Sequence, residues 1–121
     1  MKIYLDDVRP TPEGWTHSRT AEETFELIKA GGVKEVSLDN DLGGGYTEGY
    51  MVMRWLEELV LTDQIPYEHL PERFTFHTDN VDRQSDMITA WKNLSRHLAA
   101  KDLRHPRAHW NRLRFGRSRH Y

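Results

Sequence analysis

The feature that most constrains the fold of this chain is a recurring pattern in which a short apolar run ends directly in acidic or polar residues. The runs are K-I-Y-L at 2–5, E-V-S-L at 35–38 and R-F-T-F-H at 73–77. Each run has the length of a buried strand, and segments with helical periodicity lie between the runs. This alternation is typical of an α/β domain with a parallel sheet.

Local signals place the expected elements along the chain. Thr20 and Glu23 form a T-x-x-E capping box, which predicts the start of a first helix, and the glycine pair at 31–32 ends it. Residues 8–13 contain two prolines and are predicted to form a loop. We expect strands at 2–5, 14–19, 35–38 and 73–77, and helices at 21–30, 48–61 and 83–100.

Composition limits the class of protein. With 121 residues, of which 37% are hydrophobic and 30% charged, the chain is long enough for one soluble domain with a modest core. No run of about 18 apolar residues is present to span a membrane, and the first residues lack the pattern of an export signal, so we expect a cytoplasmic protein. The absence of cysteine excludes disulfides, thiolate metal sites and a cysteine nucleophile.

Charge is distributed unevenly along the chain. Residues 1–100 contain 10 Lys and Arg against 18 Asp and Glu, whereas residues 101–121 contain 7 against 1. We therefore divide the chain into an α/β domain, residues 1–100, and a basic C-terminal tail, residues 101–121, which carries Trp110, Phe115 and Tyr121. Arginines interleaved with aromatic side chains are typical of single-stranded nucleic acid binding. The alternative is that the tail packs on the acidic domain and covers a sheet edge, and the sequence leaves both open.

The acidic residues after the first and third strands predict a metal site. In a parallel sheet the carboxyl ends of the strands share one edge, which is where ligands bind in open α/β folds. Carboxylates that converge there repel one another unless a cation neutralises them. Oxygen ligands favour Mg²⁺, with Mn²⁺ as the alternative, and the candidate ligands are Asp6, Asp7, Asp39 and Asp41. Asp41 has a second interpretation, as a cap for the glycine-rich turn that follows it.

Residues near this predicted site fit a phosphate substrate, because Mg²⁺ commonly keeps positions for phosphate oxygens. Arg9 and Arg83 are placed to bind the phosphate charge, and Arg9 is also a candidate catalytic residue. His77 is a candidate general acid near neutral pH, although an ordinary histidine at the rim of a sheet is an equal interpretation. Thr78 and Asn80, which follow the same strand, complete the predicted substrate-binding set.

Four sequence blocks together resemble one protein family. They are L-D-D-V-R-P-T-P-E-G-W from residue 5, S-R-T-A-E-E from residue 18, V-S-L-D-N-D-L-G from residue 36 and H-T-D-N from residue 77. An acidic pair after the first strand, an Asp after the third and a Thr after the fourth are similar to the pattern of response-regulator receiver domains. Over residues 2–90 the blocks more specifically resemble the divergent cyclic-phosphate-processing receiver-like domains.

This resemblance implies a three-layer, flavodoxin-like α/β fold with a short parallel sheet of four strands in the order 2-1-3-4. It implies that the loop at 8–13 replaces the first receiver helix, and that the basic tail replaces a fifth βα unit or that this unit is missing. It also implies metal-dependent processing of cyclic phosphate ends. Asn40 stands where the family motif D-H-D has a histidine, and the lysine of true receivers has no clear counterpart other than Lys101 or a tail arginine.

Two functions follow, and fold alone does not choose between them. The first is a Mg²⁺-dependent phosphoesterase acting on a cyclic phosphate or on a nucleotide or RNA end, in which water or Asp39 attacks phosphorus and His77 protonates the departing ribose oxygen. The second is a non-catalytic pseudo-receiver that binds a phosphorylated ligand, RNA or a protein partner. In both, the tail is a possible contact for nucleic acid, and no membrane partner is expected.

Overall fold

A computed structural model of the protein describes residues 1–43 and 47–104, with side chains described as far as residue 100. It contains strands β1 (Lys2–Leu5), β2 (Thr16–Ser18), β3 (Glu35–Leu38) and β4 (Arg73–Phe76), helices α1 (Ala21–Ala30), α2 (Tyr50–Leu61) and α3 (Val81–Arg104), and a 3₁₀ turn at Tyr67–His69. The strands form one parallel sheet in the order β2-β1-β3-β4. The predicted receiver-like α/β fold and strand order are confirmed, and the loop predicted at 8–13 contains neither helix nor strand.

The starts of α1 and α2 are set by side chains that cap their first turns. At α1 the predicted capping residue is confirmed, since Thr20 Oγ1 accepts a hydrogen bond from the Glu23 N–H at 3.0 Å. α2 begins at Tyr50 and not at 48, because the side-chain oxygen of Asn40 accepts a hydrogen bond from the Tyr50 N–H at 2.9 Å. A cap supplied from the loop after β3 cannot be seen in the helix's own sequence.

α3 is longer than predicted at both ends. It begins at Val81 because Asn80 acts as its N-cap, with the side-chain oxygen accepting a hydrogen bond from the Arg83 N–H at 3.0 Å. It continues to Arg104, past the predicted end at residue 100. The remainder of the predicted basic tail, residues 105–121, lies outside the described residues. No helix in the described part of the chain is long and apolar enough to cross a membrane.

One face of the sheet is apolar, and the three helices cover it. Because side chains alternate along a strand, every second residue points to this face. Its central side chains are all buried, and they are Ile3, Leu5, Val36, Leu38, Phe74 and Phe76. They form one core with residues of the helices, among them Met53, Met87 and Trp91. α1 packs on α2 and α2 on α3, as expected when successive βα units cross over in the right-handed sense.

The opposite face, which we call the second face, carries polar and aromatic side chains. Tyr4, Ser37 and Thr75 lie in register across β1, β3 and β4. Glu35 and Arg73 form an ion pair on the same face at 3.3 Å. The described helices all lie against the apolar face, so no element of the described residues forms the third layer predicted for the fold.

The pairing of β1, β3 and β4 places the residues that follow these strands side by side. The last residues of β1, β3 and β4 pair with one another. The ladder continues for one residue more, since the Asp39 N–H donates to the Leu5 carbonyl and the His77 N–H to the Leu38 carbonyl, both at 3.0 Å. Asp6, Asp39 and His77 therefore stand beside one another at the carboxyl edge of the sheet.

Gly49 lies against the backbone at this edge, and its replacement is expected to destabilise the fold. Its N–H donates to the Asn40 carbonyl at 2.9 Å, and a Cβ atom there would stand 1.8 Å from the Asp39 carbonyl oxygen. We expect Gly49→Ala to lower the free energy of unfolding by about 3 kcal/mol in urea denaturation, because backbone atoms must move.

The matched control for this prediction is Gly32→Ala. Gly32 has a φ of +87° but nothing near its Cβ position, so this variant measures the cost of a left-handed backbone alone, about 1–2 kcal/mol. Equal losses in the two variants would contradict the close approach between Gly49 and Asp39.

Candidate active site

Asp6 is fully buried and accepts four hydrogen bonds. Its Oδ1 accepts from the N–H groups of Val8 and Arg9, both at 2.8 Å, and its Oδ2 contacts Arg9 Nη1 and His77 Nε2, both at 3.0 Å. Burial would raise the pKa of Asp6, but the hydrogen bonds outweigh it and lower the pKa from 3.8 to about 2. The ionised carboxylate therefore stabilises the fold above pH 3.8, and this contribution is lost as the pH falls towards 2.

The guanidinium of Arg9 lies among three carboxylates. Its Nη1 is 3.0 Å from Asp6 Oδ2 and 3.4 Å from Asp39 Oδ2, and its Nη2 is 2.9 Å from Asp79 Oδ2. The side chain of Asp79 is 95% exposed, so its pair with Arg9 contributes little stability. The chain itself thus supplies part of the positive charge that the converging carboxylates require.

Asp39 is less strongly stabilised as an anion than Asp6. Burial raises the pKa of Asp39, and hydrogen bonds from the Thr78 side chain and the Asn40 N–H oppose this without reversing it. The negative charge of Asp6 also raises the pKa. A cation bound between Asp6 and Asp39 would favour the ionised form of Asp39, so this pair is suited to bind one.

His77 is held in place on both ring nitrogens. Nδ1 lies 2.7 Å from Ser37 Oγ and Nε2 lies 3.0 Å from Asp6 Oδ2, while the ring stacks on Tyr4 with centroids 4.3 Å apart. Burial lowers the pKa of His77, and the hydrogen bond to Asp6 opposes this shift. The imidazole is therefore neutral at neutral pH, with Nε2–H donating to Asp6 and Nδ1 accepting from the Ser37 hydroxyl.

Three of these side chains meet closely enough to share one metal ion. One oxygen each from Asp6 and Asp39 and a ring nitrogen of His77 all lie within 4.8 Å of one another. Two carboxylates and an imidazole are donors that divalent metal ions accept, so the residues fit the metal that the sequence predicts. Beside them is a cleft of about 280 Å³, lined by Asp6, Asp7, Val8, Arg9, Asp39, Asp41, Thr78 and Asp79.

Two of the predicted metal ligands line the cleft but do not join this group. Asp7 is exposed. Asp41 is also exposed, and its Oδ1 accepts hydrogen bonds from the side-chain amides of Asn40 at 3.0 Å and Asn80 at 3.3 Å. Asp41 thus connects the loop after β3 to the residue that caps α3. The glycine-rich turn that Asp41 was predicted to cap lies partly outside the described residues.

The predicted phosphate-binding residues also separate into two groups. Arg9 and Thr78 line the cleft, whereas Arg83 points to Glu48, with contacts at 3.1 and 3.3 Å, and to Asp86 at 3.1 Å. Asn80 caps α3 and so already has a structural role. The structure therefore brings Arg9, and not Arg83, to the carboxylates of Asp6 and Asp39.

Asn40 has a structural role that its position in the motif did not reveal. It is fully buried, its side-chain oxygen accepts from the Tyr50 N–H, and its amide donates to Asp41 at 3.0 Å and Glu48 at 3.1 Å. It therefore joins the edge of the sheet to the start of α2. The side chain of Asn40 makes this connection, while its backbone N–H donates a hydrogen bond to the carboxylate of Asp39.

Sequence reasoning missed Ser37 as a member of the site, and it placed Asp79 among the polar residues after the fourth strand without giving it a role. Ser37 contacts His77 from the second face of the sheet, and Asp79 pairs with Arg9. A signal for Ser37 was present, since a serine between Val36 and Leu38 in a buried strand needs a hydrogen-bond partner. Asp79 gave no such signal, because its contact depends on the path of the loop that carries Arg9.

Comparison with known proteins identifies a family to which most of the chain is similar. A family model described as "Cyclic-phosphate processing Receiver domain" matches residues 1–93, which include all four strands and every residue of the cleft. Searches of the curated proteins and of the solved structures gave no match.

Proposed function

The chain belongs to the family of cyclic-phosphate processing receiver domains, and on this premise we propose that it is a metal-dependent phosphoesterase that opens a cyclic phosphate at a nucleotide or RNA end. The observation that carries the proposal is the meeting of Asp6, Asp39 and His77 within 4.8 Å beside a cleft that Arg9 also lines. Buried carboxylates grouped with a histidine and a cation at the ligand-binding edge of an α/β sheet fit phosphate chemistry.

Asp6 and Asp39 are the carboxylates proposed to hold the metal, with Mg²⁺ or Mn²⁺ as the ions predicted from sequence. When bound, a divalent ion would neutralise the negative charge that develops on a phosphoryl oxygen. Asp6 enters this site already ionised, because its pKa is about 2. The hydrogen bonds to Asp6 fix its orientation before any ligand arrives.

Arg9 is the residue proposed to bind the phosphate of the substrate. Its Nη2 pairs with the exposed carboxylate of Asp79, a solvated contact that a phosphate oxygen can replace at little cost. A planar guanidinium also matches two phosphate oxygens at once. Arg83 would have to leave Glu48 and Asp86 to take part, so we assign the phosphate to Arg9.

The proposed reaction is hydrolysis at phosphorus. A water oxygen forms a bond to phosphorus, the bond from phosphorus to one ribose oxygen breaks, and that ribose oxygen takes up a proton, leaving a phosphomonoester. We assign the proton of the attacking water to Asp39, which a bound cation would keep ionised and able to accept it. Direct attack by Asp39 on phosphorus is the alternative predicted from sequence.

The test is a turnover assay on a short RNA that ends in a ribose 2',3'-cyclic phosphate. Mass spectrometry is expected to show the gain of one water with Mg²⁺ or Mn²⁺ and no gain after chelation with EDTA. The same RNA ending in a linear phosphate is the control and should stay unchanged. A folded, metal-loaded protein that leaves the cyclic end intact would argue against the proposed activity.

One observation favours the second candidate function, a pseudo-receiver that binds without turnover. Because Arg9 already pairs with Asp6 and Asp39, the edge is partly neutralised by the chain itself. Under this alternative the cyclic-phosphate RNA binds and is recovered unchanged. Binding would weaken with salt, as phosphate contacts do.

A further inference from the structure

The third donor at the carboxyl edge is a nitrogen and not an oxygen. The sequence predicts an all-carboxylate site in which Asp7 accompanies Asp6 and Asp39. In the structure Asp7 is exposed, and the group close enough to share one ion is completed by His77. The register of β3 and β4 puts His77 there, since its N–H continues the ladder to the Leu38 carbonyl at 3.0 Å.

The surroundings of His77 hold the ring as a metal ligand would need. Tyr4 stacks on it with an interplanar angle of 3°, which fixes the plane of the ring. Ser37 Oγ lies 2.7 Å from Nδ1, and its hydroxyl can accept a hydrogen bond as well as donate one. In the metal-free protein Nε2–H donates to Asp6, so a metal ion at Nε2 would take the place of that proton, and Ser37 would then accept from Nδ1–H. An outer partner that accepts from the second ring nitrogen is typical of histidines that bind metal.

We infer that this chain uses His77 Nε2 as a metal ligand with Asp6 and Asp39, and therefore selects a first-row transition ion such as Mn²⁺ over Mg²⁺. The inference rests on the proposed function, which supplies the metal. Mg²⁺ binds almost entirely through oxygen, whereas the transition ions accept imidazole readily and bind more tightly as nitrogen donors are added. A nitrogen ligand at this position thus favours binding of the transition ions over binding of Mg²⁺.

Ligation also changes the part that His77 plays in the reaction. A ring nitrogen bonded to a metal has no proton to give, so His77 is a ligand and not the general acid that the sequence suggested. The proton for the departing ribose oxygen then comes from water in the cleft. Ser37 and Tyr4 are positioning residues, since they act on the metal through His77.

The experiment measures metal binding directly and does not depend on turnover. Mn²⁺ and Mg²⁺ are titrated by calorimetry into wild type, His77→Gln and Ser37→Ala, with His69→Gln as the control. His69 contacts the Lys29 carbonyl through Nδ1 and lies outside the cleft. Pulsed electron paramagnetic resonance on the Mn²⁺ complex then reports whether an imidazole nitrogen is bound to the ion.

Wild type is expected to show a directly bound nitrogen and to bind Mn²⁺ more tightly than Mg²⁺. His77→Gln should remove the nitrogen signal and weaken Mn²⁺ binding by at least about 100-fold, since loss of an outer partner alone costs about 10–100-fold. Its Mg²⁺ affinity should change far less. Ser37→Ala should weaken Mn²⁺ binding by about tenfold with the nitrogen signal retained, and His69→Gln should match wild type.

The outcomes separate this inference from the proposed function. Mn²⁺ binding without a nitrogen signal, or equal losses of Mn²⁺ and Mg²⁺ affinity in His77→Gln, would overturn the role of His77 and leave the phosphoesterase proposal standing. If neither ion binds wild type, the proposed metal-dependent activity fails first. Should His77→Gln prove unfolded by circular dichroism, the nitrogen signal of wild type and the affinity of Ser37→Ala still decide the matter.

Discussion

Asp39→Asn is expected to abolish metal-dependent opening of a cyclic phosphate, while Asp41→Asn retains it. Asp39 is buried, its pKa is raised by burial, and its carboxylate belongs to the group that can share one ion. Asn keeps the shape of the side chain but removes the negative charge, so both metal binding and proton transfer should suffer. We expect kcat/KM to fall by about 10³-fold, which corresponds to about 4 kcal/mol.

Asp41 is the matched control because it lies two residues away in the same motif. It is exposed and accepts hydrogen bonds from the amides of Asn40 and Asn80, a role that the oxygen of an Asn side chain can keep. We expect Asp41→Asn to stay within about threefold of wild type, because the carboxylate of Asp41 is not in the group that can share one ion. The two rates are measured on the cyclic-phosphate RNA at saturating metal. Equal activity of Asp39→Asn and wild type would remove Asp39 from the site.

Arg9→Ala is expected to destabilise the metal-free protein and to make added metal more stabilising. In wild type the guanidinium contacts Asp6 at 3.0 Å and Asp39 at 3.4 Å, and without it two buried carboxylates lose their nearest cation. The side chain of Arg9 is 37% exposed, so water offsets part of the loss. We expect the free energy of unfolding to fall by about 1–3 kcal/mol.

Added metal should then raise the melting temperature of Arg9→Ala by more than it raises that of wild type. All four hydrogen-bonding positions of Asp6 are filled, and Arg9 Nη1 occupies one on the oxygen, Oδ2, that also faces His77. If His77 ligates the metal, its hydrogen bond to Oδ2 is given up, and the guanidinium of Arg9 then stands beside the ion as a like charge that opposes its binding. Thermal melting of Arg9→Ala and the exposed control Arg96→Ala with and without Mn²⁺ measures this. A metal-induced increase in melting temperature that is the same in all three proteins would show that Arg9 and the metal do not compete.

The carboxyl edge could be predicted from the sequence because parallel strands leave their carboxyl ends together. Asp6, Asp39 and His77 each follow directly on an apolar strand, so the strand order and a common register were enough to bring them side by side. Their separate roles could not be predicted in the same way. Side chains alternate between the two faces of a strand, so a shift of one residue in β1 would exchange the positions of Asp6 and Asp7. The sequence does not show which of the two turns inward.

The contacts of Arg9 and Asn40 could not be predicted from the sequence. Arg9 reaches Asp39 and Asp79 only because the loop at 6–15 folds back over the edge, and two prolines predict a loop without predicting its path. Asn40 caps α2 across ten residues of sequence, so the start of that helix could not be found from local signals. The bounds of α3 depend in the same way on the side chain of Asn80.

The length of α3 limits how much of a substrate the two ends of this molecule can contact at once. A helix of 24 residues is about 36 Å long, whereas a strand of four residues spans about 13 Å. Its first turn follows the loop that lines the cleft, so Arg104, its last residue, is about 36 Å from that turn along the helix axis. A cyclic mononucleotide would fit the cleft without approaching that end, and only a strand of several nucleotides would extend so far.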